Sequence, residues 1–170
     1  MDFNYTAIPL ADKLGSLPPE AAVLILSLIP GVEPRYAVLA GVLLGLSFSA
    51  SLLISMLSLL ALSLMLTVSV GYIDAFMSRM TSSRGILSRI ALLYVRLRDR
   101  SASKASGKVE RWGVLGLIAF IAVPLPATGV YTGALASIIL GIRGYKLLMA
   151  LIVGGILSIM IMSITANIIL

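Results

Sequence analysis

Two short stretches of this 170-residue chain set reactive side chains inside apolar sequence. In the first, Pro30-x-x-Glu33-x-Arg35 places a carboxylate and a guanidinium two residues apart. In the second, residues 123–133 read VPLPATGVYTG, so Pro124, Pro126 and Gly129 break the chain while Thr128, Tyr131 and Thr132 supply hydroxyls. A charge inside a bilayer costs at least ~2.5–3.5 kcal/mol on insertion scales, so Glu33 and Arg35 are expected to pair or to face water. One reading makes them an ion pair that fixes a turn, or puts that turn at headgroup level. The other makes Glu33 a proton carrier or cation ligand and Arg35 the holder of an anionic group such as phosphate. Backbone groups freed at the second stretch would aim N–H dipoles at the same anion. Arg143 and Lys146 read as interface anchors, with Arg143 kept as a further candidate for substrate contact. Asp74 reads as a solvated residue at the end of a span.

The chain has neither cysteine nor histidine. That excludes disulfides, thiol chemistry, haem ligation, the usual zinc sites and every histidine-based catalytic arrangement. With no GxSxG and no paired intramembrane aspartates either, no enzyme, metal or cofactor is expected. Hydrophobic residues make up 59% of the chain and charged residues 12%, with a mean hydropathy of +1.09, far from soluble-domain averages. The chain reads as a single membrane domain. Its opening MDFNYT has no basic segment and no small-residue cleavage site, so no signal peptide is expected.

The net charge of +6 is concentrated: nine of the 13 Lys and Arg residues fall within 79–111. The positive-inside rule makes that segment cytoplasmic. Nucleic acid is not expected, because only Tyr94 and Trp112 are near enough to act as base readers. Ile86, Ile90, Leu93 and Leu97 recur at helical spacing opposite Arg89, Arg96 and Arg100, the pattern of an interfacial amphipathic helix. Residues 99–110, DRSASKASGKVE, read as a flexible polar linker.

The elements that must position the reactive residues are short. The apolar runs 112–123 and 130–142 rise only about 18 Å each as helix, where crossing needs ~20 residues. A proline-broken tip cannot stand in lipid with unpaired backbone groups. The economical solution is a hairpin that dips partway into the membrane and returns. Residues 18–48 repeat the plan around Pro30-Gly31. Segments 49–72 and 145–170 are each long enough to span. An offset of 96 pairs Pro30 with Pro126, Leu39 with Leu135, Ala40 with Ala136, Leu44 with Leu140 and Gly45 with Gly141. Small residues recur every four positions at Ala37, Gly41, Gly45, Ser49 and at Gly129, Gly133, Ser137, Gly141, stripes suited to close helix packing and to a homodimer.

The expected fold is therefore an all-α integral membrane protein of 1–170. It is an inverted repeat of two units, each a re-entrant helical hairpin followed by a transmembrane helix. Repeat one is 18–72, repeat two is 112–170, with its hairpin at 112–142, and a cytoplasmic amphipathic helix and linker at 73–111 join them. Both termini come out external and the hairpin tips meet near the midplane.

The two motifs together resemble the putative small multidrug export protein family, a distant relative of the DedA/VTT membrane proteins, over about 24–142. The resemblance implies paired re-entrant hairpins, lipid translocation (polyprenyl-phosphate carriers in particular) and coupling to the proton gradient. It implies that Glu33 is the protonatable group and Arg35 the phosphate or counter-charge partner. The chain departs from the family pattern after Arg35, where Tyr36-Ala37-Val38-Leu39 replaces a further proline-containing turn. Three functions stay open: a transporter of an amphipathic phosphate-bearing lipid, a proton-coupled small-molecule exporter, and a non-transporting organiser working through the amphipathic helix. A prokaryotic cell membrane is the expected location.

The topology can be tested with single cysteines, since none compete. In right-side-out cells an impermeant maleimide should label cysteines at Ser16 and Ala166 but not at Ser103. Labelling at Ser103 from outside would reverse the orientation.

Overall fold

The computed structural model describes residues 17–81, 86–104, 107–125 and 128–169, with the side chains of 97–104, 107–111 and 165–169 outside that description. The described residues form seven helices: α1 (Pro19–Leu28), α2 (Glu33–Leu43), α3 (Phe48–Met80), α4 (Ile86–Lys104), α5 (Gly107–Ala122), α6 (Val130–Leu140) and α7 (Gly144–Ile169). The order short, short, long occurs twice, as α1-α2-α3 and α5-α6-α7, with α4 between.

Local chemistry sets these boundaries. Pro19 opens α1 at a position where its missing N–H is harmless, and Glu20 sits in the first turn, favourable to the helix dipole. Pro30 and Gly31, the latter at φ 96°, end the helix. The ends of α2 and α6 are closed by one device. Leu46 N–H donates to the Gly41 carbonyl and Gly45 N–H to that of Val42; Ile142 N–H donates to Ser137 and Gly141 N–H to Ile138. Gly45 and Gly141 take positive φ, 91° and 70°, so each forms a Schellman cap. Every residue of the second cap lies 96 after its counterpart in the first, and α7 starts 96 after α3.

Two helices are long and apolar enough to cross a membrane: α3, and α7 over Gly144–Ile164. At 33 residues α3 is about 50 Å long, well beyond a hydrocarbon core of about 30 Å. It continues past the expected end at residue 72 because 73–80 contain neither proline nor glycine to stop it. The polar segment 99–110 is also largely helical rather than a linker. No breaker interrupts 99–104, so α4 runs to Lys104, and α5 opens at Gly107, ahead of the expected 112. Helices α1, α2 and α6 have 10, 11 and 11 residues, about 15–17 Å each.

The polarity of the packing is inverted relative to a soluble protein. Glu33, Arg35, Ser51, Ser55, Ser63 and Ser158 are buried, while Leu43, Tyr72 and Trp112 are each more than 70% exposed. On α4, Ile86, Ile90 and Leu93 are exposed and Ala91 is buried, so the expected apolar face is left uncovered by protein. The apolar core consists chiefly of Leu59 and Leu62 of α3, Leu117 and Ile121 of α5, and Leu147, Leu151 and Ile159 of α7.

Small residues bring these helices together only where the expected stripes remain helical. Ala37, Gly41, Gly129, Gly133 and Ser137 are buried, whereas Gly45 and Ser49 are exposed: the chain turns away at the first cap, so that stripe stops at Gly41. Gly154 faces backbone: a Cβ there would stand 3.0 Å from the Ile118 carbonyl oxygen and 2.8 Å from the Ile121 Cβ. A backbone atom cannot swing aside. Gly154→Ala should therefore force α5 and α7 apart and cost about 1–3 kcal/mol. At Gly116, where nothing lies within 4 Å, the same change should be neutral or stabilising by up to ~1 kcal/mol. Thermal unfolding of the two variants in detergent checks this, and equal midpoints would refute the packing.

Candidate substrate and ion site

The turns that end the short helices meet one another. Helix α6 begins at Val130, and its first N–H groups have no partner within the helix. The Glu33 carboxylate supplies one: Val130 N–H donates to Oε2 at 3.1 Å and Tyr131 N–H to Oε1 at 3.4 Å. The chain approaches closely because Gly129 precedes the helix at φ 143°, and a Cβ there would collide with the carboxylate. No side chain but glycine's single hydrogen fits. Glu33 itself has φ 59°, a left-handed conformation uncommon outside glycine and costing about 1–3 kcal/mol.

Arg35 completes the join from the other polarity. Its Nη2 donates to the Leu125 carbonyl at 3.4 Å and to the Thr128 carbonyl, and its Nη1 reaches Thr128 Oγ1 at 3.5 Å. The guanidinium lies 4.9 Å from the centre of the Tyr36 ring, a cation–π contact. Arg35 Nε stands 3.7 Å from Glu33 Oε2, close enough for attraction and too far for a hydrogen bond. Both residues are at most 4% exposed, so the pair is enclosed by protein on all sides. Thr128 Oγ1 also ties its own turn, donating to the Val123 carbonyl at 2.6 Å and accepting from Leu125 N–H. The Tyr131 hydroxyl crosses to the Leu28 carbonyl at 2.6 Å.

Beside the pair is a cavity of about 10 Å³ walled by Glu33, Arg35, Leu59, Ile121, Gly129 and Ser158, among others, room for about one water. Two atoms of its lining residues, Arg35 Nε and Ser158 Oγ, are buried without a hydrogen-bond partner. Below it Leu59 packs against Gly155, a pair that is 96 apart, as are Glu33 and Gly129.

Of the residues singled out from sequence, Glu33, Arg35, Thr128, Gly129 and Tyr131 converge here. Thr132 Oγ1 donates instead to the Gly129 carbonyl of its own turn at 3.3 Å. Pro30 is exposed and Pro124 half-buried, so they shape turns. Pro126 lies outside the described residues. Arg143 belongs to a second cluster: its Nη1 is 2.5 Å from Asp74 Oδ2, and the Tyr94 hydroxyl donates to Asp74 Oδ1 at 3.0 Å. Asp74 is thus paired rather than merely solvated, because α3 continues far enough to carry it to the loop before α7. Sequence reasoning missed Ser158, which looks like any other packing serine, and the carbonyls of Leu28 and Leu125, which no side-chain pattern marks.

No curated protein and no solved structure matches the chain. A family model described as putative small multi-drug export protein matches residues 33–161, a span that opens on Glu33 and closes inside α7. Two helices long and apolar enough to span, an apolar exterior and that match make this a membrane protein. It belongs to the putative small multi-drug export protein family.

Proposed function

We propose that the protein is a proton-coupled transporter that moves an amphipathic molecule bearing a phosphate-like anionic group across the membrane, and that the join between the two turns is its site. The observation that carries this reading is the Glu33 carboxylate. It is buried, in a strained backbone conformation, and bound to the N-terminus of α6 beside Arg35. A protonatable acid held at a helix end inside an apolar protein is a costly arrangement for a joint alone.

The architecture that suits this reading is the inverted repeat, with α1-α2 and α5-α6 as re-entrant hairpins and α3 and α7 as the spans. Supporting it are helices too short to cross, caps in register at an offset of 96, and the facing pairs Glu33–Gly129 and Leu59–Gly155. Equivalent positions that touch each other are what a two-fold axis between two halves would produce. Halves related in that way can rock about a central site, exposing it to each side in turn. Arg35 holds the anionic group, Glu33 carries the proton, and the hydroxyls of Thr128 and Tyr131 line the approach. A polyprenyl-phosphate-like lipid, which the resemblance to DedA-type proteins implies, suits the apolar exterior. The family description favours a second reading, multidrug or small-molecule export. Neither needs a metal, a cofactor or covalent chemistry.

The test is transport in proteoliposomes. Movement of a fluorescent polyprenyl phosphate between leaflets should depend on pH and on an imposed proton gradient. Arg35→Lys, which keeps the charge and loses the planar fork, should slow it at least about tenfold, the loss of one good charged contact. Lipid movement equal with and without protein, alongside proton-driven efflux of a lipophilic cation, would replace this reading with the exporter.

A further inference from the structure

The N-terminus of α6 already holds an anion, and that anion is part of the protein. Two backbone N–H groups at the positive end of an 11-residue helix, with a guanidinium alongside, form a donor set suited to an oxyanion. Glu33 fills it imperfectly. One of its two bonds is 3.4 Å long, and its carboxylate leaves Arg35 Nε unbonded at 3.7 Å. Ser158 also lines the adjoining cavity, and its hydroxyl is buried without a partner. Arg35 Nε and Ser158 Oγ are both donors, and both belong to residues that wall the same cavity as Glu33. A group with more oxygens than a carboxylate has acceptors to offer to more of these donors than Glu33 does.

We infer that the Glu33 carboxylate is a displaceable occupant of an oxyanion site, and that a phosphate- or sulfate-type group takes its place when Glu33 binds a proton. The inference rests on the site proposed above and adds its order of events. The proton enters on a carboxylate oxygen, the neutral acid lets go of the Val130 and Tyr131 amides, and the arriving anion takes them with Arg35. For a monoanion such as a sulfonate, one negative charge leaves as one arrives and the buried charge balance is kept; a dianion such as sulfate adds one negative charge beside Arg35. Proton and anion are then bound together and released together.

The groups facing Glu33 are consistent with its being the titrating partner. From its own helix comes Arg35, and from α6 comes Tyr131. Helices α3, α5 and α7 present only Leu59, Ile121, Gly155, Ser158 and Ile159 among the residues around the cavity.

Calorimetry on the full chain in lipid nanodiscs tests this, with inorganic sulfate and a long-chain alkyl sulfonate as probes. Neither changes charge near neutral pH, and together they separate a free oxyanion from a headgroup that needs its tail. Titrations in two buffers of different ionisation heat count protons. Binding of either probe should take up about one proton, and affinity should fall about tenfold per pH unit while Glu33 is ionised. Glu33→Gln should bind with no proton uptake and no pH dependence. Binding to the wild type without proton uptake would overturn the displacement and leave the transporter reading intact. The same uptake in Glu33→Gln would overturn it too. If neither probe binds the wild type at any pH, the oxyanion site is wrong and the anionic substrate falls with it. Should Glu33→Gln fail to fold, the wild-type proton count still decides.

Discussion

Helix ends inside an apolar protein must find partners for backbone groups that water would otherwise satisfy, and the residues around Glu33 and Arg35 meet that constraint. A helix that stops leaves carbonyls without donors, and one that starts leaves N–H groups without acceptors. Between α5 and α6 the chain does both within seven residues. The opposite turn answers with one residue of each kind. Arg35 gives hydrogens to the carbonyls of Leu125 and Thr128, in the turn beyond the end of α5, and Glu33 receives them from Val130 and Tyr131 at the start of α6. Neither charge is buried alone, and neither turn could stand in an apolar interior without the other.

The rest of the fold serves that junction. Buried small residues let α2 approach α3, and α5 approach α6 and α7, closely enough for the two turns to touch, with Gly41 against Ser51, Gly133 against Ile121 and Gly154 against Ile118 and Ile121. Leu59, Ile121 and Ile159 close it off from below. Apolar side chains that would fill a soluble protein's core point outward instead, because lipid is as good a solvent for them as protein is. Specificity of packing then comes from shape and from the few polar groups. At the other end of α3, Asp74 binds both Arg143 and Tyr94 and so ties α4 to the two halves it connects. That pair is partly exposed, and its contribution is of the order of 1 kcal/mol or less.

Much of this was legible in the sequence because the signals were local. Prolines and glycines punctuated 29–34 and 123–129, the lengths between them were too short to cross a bilayer, and the offset of 96 was visible in Gly45 and Gly141. The candidate residues were legible because charge is rare here: Glu33 and Arg35 stood out against an apolar background. What escaped was whatever depends on distance in the fold rather than along the chain. Asp74 meets Arg143 across 69 residues, and Ser158 matters only because α7 brings it beside Arg35. Helix lengths at the polar segment also exceed what its composition suggests, since polarity reads as linker while the absence of breakers over 99–104 dictates helix.

The contact between Glu33 and Gly129 restricts how alike the two halves of the chain can be. These positions are 96 residues apart, both have positive φ, and they face each other. An acid at both would drive two carboxylates into the same space, against each other's charge and each other's atoms. Glycine at both would leave the helix end uncapped and Arg35 without its counter-ion. The junction therefore works only when its two sides differ. Two identical copies of one half could not reproduce it, whereas a single chain can give each side of the contact its own residue. A repeated order of helices and a difference at the point where they meet are both conditions of the same site.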